Sequence, residues 1–521
     1  MMERRWAKPV TPRQQMTVGA ALDDSVPATH PIRMLDAVLA ELDWSEWLAR
    51  FKPDRRGQPP VHPRLMAGCI MYGLMRKIRS SRELEEATRE RVDFRWFLEE
   101  RTIDHATFAL FRGKFKDLLQ GLNHRLAERI CAQYADALET LVVDGTRIRA
   151  CSDRHGARTA EGLEKMIARC TGLLDERLRR LEAQDDADTE QAAQVASLEE
   201  EVARLRAQLG QYQKAAVAAR ERDGKRRKKM GAKAPPVRVP VTDPDASIVP
   251  NKEGGYAPNY TPTAAVDAAS GAIVSCGVPE GASESDAVPP AVADAKALGG
   301  TPKRVMADGG FSGGEVLHHL AEQGIEACMP TATDFRASNP ANREDPSQPV
   351  PQSQWDQLPK TSGKGGKLRP SAFIHDNERD EYRCPMGHAL LPESKGRRRG
   401  GARTTVYTCH HCAGCPLAKQ CLTAKTTRRT ISRDPYQPLR EAVGRRMASE
   451  EEIERYKTRA PLVEVVFARI KYHFGIRQFF HRGLDKVRAE WNWVCCAYNL
   501  KLLLQLLQNK ESKTANLPQT A

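Results

Sequence analysis

A chain of 521 residues with 81 Lys and Arg against 67 Asp and Glu carries a formal charge of +14. It has room for two or three domains, and its charge suits a polyanionic partner such as DNA, RNA or a membrane surface. Thirteen cysteines are too sparse for a secreted disulfide scaffold, although five of them fall between Cys384 and Cys421. "MMERRWAKPV" has positive charge without a signal-like apolar core behind it, and "VCCAYNLKLLLQLL" is interrupted by Asn499 and Lys501. A cytoplasmic protein with no membrane partner is expected.

Residues 1–135 read as a helical N-terminal domain. Met34, Leu35, Val38, Leu39 and Leu42 recur at three- and four-residue steps, and a Pro/Gly-rich loop, "KPDRRGQPPVHP", precedes "RLMAGCIMYGLMRKIRSSRELEEATRE". The serine pair ahead of the charged pattern marks a helix start. Arg79 and Arg82 there suit the opening of a DNA-recognition helix, or plain solvated surface.

"LVVDGTRIRA" opens α/β material at residues 136–160. Residues 161–240 form a helical insertion, in which Val195, Leu198, Val202, Leu205 and Leu209 give a short coiled-coil or helical-hairpin signal suited to pairing two copies. The basic run "KRRKKMGAKAPP" is expected to be a flexible connection. Within 241–335, residues 256–330 alternate strand, strand, helix, strand, helix and strand, with Gly271 turning between the first two runs. Residues 336–435 are expected to be a flexible linker followed by a cysteine-rich insertion. Residues 436–505 hold the last strong helices, and 506–521 a frayed tail.

Asp144 follows an apolar β-branched run and precedes a glycine. Alone, it reads equally well as a turn residue. "RVMADGGFSGGEVLHHLAEQG" repeats that logic at Asp308, and two carboxylates at the ends of neighbouring strands can face one crevice. A pair of Mg²⁺ ions would need a third acid. Glu464 is the best candidate, because Val463, Val466, Phe467 and Ile470 form the buried stripe of its helix while Glu464, Ala468 and Lys471 share an adjoining edge. Glu490, beside "WNW", is its main rival. Asp243, Asp245 and Asp267 read as turn or strand-end residues.

"YRCPMGHAL" and "YTCHHCAGCPLAKQC" supply Cys384, Cys409, Cys412, Cys415 and Cys421. The spacing suits a closed, structural Zn²⁺ site, with the first four as one ligand set and Cys421 able to replace any of them. Iron–sulfur ligation, which would offer the chemistry no advantage, and free buried cysteines are the alternatives.

"LVVDGTRIRACS", "VMADGGFSGGEVLHHLAEQGI" and "YKTRAPLVEVVFARIKYHFGIRQFFHRGLDKVRAEWNWVCCAYNL" together resemble the bacterial insertion-sequence transposases of the DDE class. The resemblance is to the group with a helical N-terminal domain and a cysteine cluster ahead of the last glutamate. It implies an RNase H-like mixed sheet with large insertions, and a catalytic triad falling on Asp144, Asp308 and Glu464. It also implies two Mg²⁺ ions, with Mn²⁺ able to substitute. Tyr456 and Arg459 would position DNA, and Lys471 would hold a phosphate near the cleavage point. The implied partners are double-stranded DNA, as the element's terminal inverted repeats and as target, and further copies of the chain in a homodimer or larger assembly in the bacterial nucleoid. A structure-specific nuclease without joining activity and a catalytically silent DNA-binding repressor are the rival functions.

Overall fold

The structure is a computed structural model that describes residues 21–51, 60–182, 192–232, 234–250, 254–281, 283–363, 365–399 and 402–515. It divides into two units, Met1–Leu119 with Cys496–Ala521, and Gln120–Cys495.

The first unit is helical, as its periodicity predicts. Helices Pro31–Ala40 and Pro63–Met75 each begin with proline at the first turn, where its missing N–H costs nothing, and with a histidine side chain capping the next amide. Ser80 and Glu83 form a reciprocal capping box on Ser81–Glu90, as the serine pair suggests. Leu35, Val38, Leu39 and Leu42 of the expected stripe are buried. Asp93 is buried with its carboxylate held by Tyr72 Oη at 2.8 Å and Arg91 Nη2 at 2.9 Å.

The second unit is built on a five-stranded mixed sheet. Its strands are β1 (Thr140–Gly145), β2 (Thr263–Asp267), β3 (Ile273–Gly277), β4 (Arg304–Ala307) and β5 (Glu326–Cys328), in the order β5-β4-β1-β2-β3. β1, β4 and β5 run parallel, while β2 is antiparallel to both β1 and β3. Every residue of β2 is buried, as expected of a strand near the middle of a sheet covered on both faces. The turn from β2 to β3 places Gly271 at a φ of +74°, which only glycine adopts without strain.

Between β1 and β2 lies the insertion. Helices α1 (Ala160–Glu182) and α2 (Ala192–Met230) pack antiparallel, with Arg220 on Glu164 at 2.7 Å and Arg177 on Glu201 at 2.9 Å. Their base is closed by two short strands, Ala157–Arg158 and Val239–Pro240, which pair with Ala157 opposite Pro240. Leu163, Ala215, Ala216, Ala219 and Val239 form the insertion's own core. The insertion is thus a helical hairpin, in which Val202 is buried and Leu205 offers its carbonyl to the Cys170 thiol of α1. Helices α3 (Val288–Ala297) and α4 (Gly314–Glu322) follow β3 and β4.

A second five-stranded sheet, wholly antiparallel, carries the cysteine region: β6 (Ile374–Asp376), β7 (Glu381–Arg383), β8 (Ala389–Arg399), β9 (Ala402–Cys409) and β10 (Thr430–Arg433). The chain then forms α5 (Glu450–Lys457), α6 (Arg459–Ala468) and α7 (Leu484–Ala515).

Four expectations need correction. The basic run is no flexible connection up to Met230, because α2 continues through it until Gly231 stops it at a φ of +91°. Arg and Lys are good helix formers, and nothing before that glycine breaks the turn. Nor is the segment from residue 336 a loose linker. Ala341, Val350, Leu358, Leu368, Ala372 and Phe373 are buried in one core with the cysteine sheet. Single apolar residues scattered among polar ones leave no periodicity to read, and their partners lie later in the chain. The tail is helical as far as Ala515, with 516–521 outside the described residues. Finally, the helical stretch expected within 436–505 is interrupted at Thr458, three residues ahead of Pro461.

Candidate active site

The strand register brings the first two aspartates together. In the parallel pair β1 and β4, Val143 lies opposite Ala307, so Asp144, near the end of β1, and Asp308, just past the end of β4, fall at the same carboxyl edge of the sheet. Asp144 accepts from Gly145 N–H at 2.9 Å, and Asp308 caps its glycine turn by accepting from Gly310 N–H at 2.7 Å. Burial pushes the Asp144 carboxyl above the usual range, the neighbouring charge of Asp308 adds to this, and Arg459 opposes it.

Arg459 comes from the first turn of α6. Its Nη1 lies 3.2 Å from Asp144 Oδ2 as a charge contact, yet this buried nitrogen has no aligned hydrogen-bond acceptor. The guanidinium also sits over the Tyr456 ring, 5.6 Å from its centre. Burial raises the Tyr456 hydroxyl, opposed by Arg459 and reinforced by Asp308. Thus Asp144, Asp308, Arg459 and Tyr456 form one cluster.

Glu464 lies on the same helix as Arg459, five residues further on. The predicted stripe of Val463, Val466, Phe467 and Ile470 is buried, and Glu464 is exposed on α6. Lys471 is half-buried in the widened turn Arg469–His473 that ends α6.

A carboxylate that sequence reasoning passed over lies beside the aspartates. Glu284 precedes the short turn Ser285–Ala287, and a Cβ added to Gly145 would meet its Cδ at 2.5 Å. Burial, then repulsion from Asp144 and Asp308, pushes Glu284 up to about 7. In "GASESDAVPP" it reads as one more polar loop residue. Its only signal is its position, in the crossover that leads from β3 into α3.

The other acids are structural. Asp243 accepts from Tyr260 Oη at 2.8 Å and Gly483 N–H at 3.0 Å, and Asp267 accepts from Leu138 N–H and Ser270. Asp245 accepts from Leu484 N–H at 2.8 Å. Glu490 accepts from the amides of Phe480 and His481 and pairs with His481 Nδ1 at 2.9 Å. Burial raises its carboxyl, but these partners outweigh it and leave Glu490 below its ordinary value. A lowered folded pKa contributes stability above the unfolded value of about 4.3 and loses it as pH falls through the folded value. Glu490→Gln is therefore expected to lower stability by about 1–3 kcal/mol at neutral pH. Urea midpoints should show that gap to wild type narrowing as acidification carries the medium below the carboxylate range.

Cys384, Cys409, Cys412, Cys415 and Cys421 line one cavity with His388 and His411, whose rings stack at 5.0 Å. The Cys409 thiol donates to Cys384, which lowers the Cys384 thiol and raises that of Cys409. Burial pushes Cys421 up to about 11. Among the described residues no group of three or more His, Cys, Asp or Glu is arranged to hold a metal ion as it stands, either here or at the aspartates. In the helical unit, Arg82 is exposed on Ser81–Glu90, and the half-buried Arg79 accepts Arg112 at its carbonyl, 3.1 Å away. No helix among the described residues is long and apolar enough to cross a membrane.

Residues 383–504 match the family described as "Transposase DDE domain", and residues 20–114 match "Transposase domain (DUF772)". The chain therefore has the general domain architecture of the DDE-family transposases, with a helical N-terminal region followed by a mixed α/β domain. The first match contains the cysteines, Tyr456, Arg459, Glu464 and Lys471, while Asp144 and Asp308 lie outside it. No curated protein and no solved structure matches the chain.

Proposed function

We propose that the chain is a DNA transposase that binds the ends of its own element, cleaves them and joins them to target DNA. The supporting observation is the pairing of Asp144 and Asp308 on neighbouring parallel strands, with Arg459 brought to them from the segment that matches a transposase DDE domain. The order and directions of β1 to β5 suit an RNase H-like sheet.

Magnesium, with manganese able to substitute, fits the donor chemistry. Carboxylate oxygens are hard ligands, and a divalent cation would relieve the burial and repulsion that raise Asp144 and Glu284. When bound, such ions activate an attacking oxygen and stabilise the leaving 3′ oxygen of a phosphodiester. In this reading Asp144 and Asp308 ligate, and Glu464 supplies the third acid from α6. Arg459 steadies Asp144 and offers its unaligned Nη1 to a phosphate oxygen, Tyr456 supports the guanidinium, and Lys471 holds the neighbouring phosphate. The helical unit, with Arg79 and Arg82, recognises the terminal inverted repeats, and two or more copies pair the ends.

The decisive experiment incubates purified protein and Mg²⁺ with labelled element-end DNA and a supercoiled target. Joined products from wild type, absent with Asp308→Asn, support transposition. Cleavage without joining indicates a structure-specific nuclease, and binding without cleavage in Mg²⁺ or Mn²⁺ indicates a repressor.

The cysteine cavity suits a structural zinc ion held by four of Cys384, Cys409, Cys412, Cys415 and Cys421. About one zinc per chain is expected by elemental analysis, and chelation should lower the melting temperature. Metal-free protein with an unchanged melting temperature would leave these residues as ordinary buried thiols.

A further inference from the structure

Glu284 has no evident structural duty. It stands at the N-cap position of its turn, yet its side chain makes no capping bond. Among the described residues its carboxylate receives no hydrogen bond and forms no ion pair. A carboxylate set in partial burial beside two others, with its partners unfilled, is costly unless a cation completes it.

Its placement is well supported. The turn Ser285–Ala287 packs against Gly309–Phe311, the turn that Asp308 caps. Gly145, next to Asp144, lies against the Glu284 carboxyl, whose Cδ a Cβ added at 145 would meet at 2.5 Å. Both aspartates are therefore bordered by this one group, and both repel it.

We infer that Glu284 is a further metal-ligating carboxylate of the Asp144–Asp308 site, delivered by the crossover between β3 and α3. The inference rests on the reading of that site as a divalent-ion centre. It gives the ion a carboxylate from the same unit's sheet crossover in addition to the one offered by α6.

The test is Mn²⁺ binding to the full chain without DNA, followed by calorimetry or electron paramagnetic resonance, together with metal-free melting temperatures. Glu284→Gln is nearly isosteric and removes a repelled charge, so its metal-free melting temperature should equal or exceed that of wild type. Its Mn²⁺ affinity should fall about tenfold or more. Glu284→Asp, which withdraws the carboxylate by one methylene, should lie between the two. If Asp308→Asn weakens Mn²⁺ binding and Glu284→Gln does not, the inference is overturned and the aspartate site stands. If wild type binds no Mn²⁺, or Asp308→Asn binds as wild type does, the site reading fails and the inference with it. A Glu284→Gln protein that melts well below wild type would instead give the residue a structural role.

Discussion

Asp308→Asn should lower strand cleavage by about a thousandfold or more while leaving the fold and binding to element ends intact. Asparagine keeps the oxygen that accepts from Gly310 N–H, so the turn after β4 survives. What disappears is one negative charge from the carboxyl edge of the sheet, where a divalent ion would otherwise stabilise developing charge by several kcal/mol. A thousandfold loss corresponds to about 4 kcal/mol of transition-state stabilisation. Single-turnover cleavage and gel-shift binding, measured on the same preparation, separate the two effects. Normal cleavage by the variant would remove Asp308 from the chemistry. Asp144→Asn should behave alike, with the added feature that Arg459 loses its anionic partner.

The second large effect is expected in the helical unit, from Trp47→Ala. Trp47 is fully buried, stacked on Phe115 at 4.9 Å and Phe111 at 5.8 Å, with Trp44 edge-on at 5.4 Å. No neighbouring side chain is large and free enough to refill an indole-sized hole, because these rings are themselves buried. The loss should be about 3–5 kcal/mol. Against a typical domain stability of about 5–15 kcal/mol, that leaves the unit close to unfolding. Calorimetry should show its transition lowered by about 10 °C or more. A shift of only a degree or two would mean that the aromatic cluster repacks.

The sheet was legible because its strands announce themselves locally. An apolar β-branched run ends at Asp144 and a short apolar run at Asp308, and Gly271 marks the turn between β2 and β3. Helix caps at Ser80 and the stripe around Leu35 were equally readable. Glu284 was not, since nothing within "GASESDAVPP" distinguishes an acid facing water from one facing two other acids. That difference is made by the parallel register of β1 with β4, a relation between segments more than a hundred and fifty residues apart. The packed segment after residue 336 escaped for the same reason, its core being completed by a sheet that comes later in the chain. Arg459 was noticed for DNA, but its contact with Asp144 depends on how α6 lies along β1.

The pairing of Ala157 with Pro240 has a consequence for how this chain can vary. That short ladder closes the α1–α2 hairpin at its neck, so the hairpin's length is decoupled from the sheet that holds the aspartates. Whole turns of α1 and α2 can be gained or lost beyond the neck without altering the spacing of β1 and β4. The hairpin is a socket, open to change on one side of a clamp and fixed on the other.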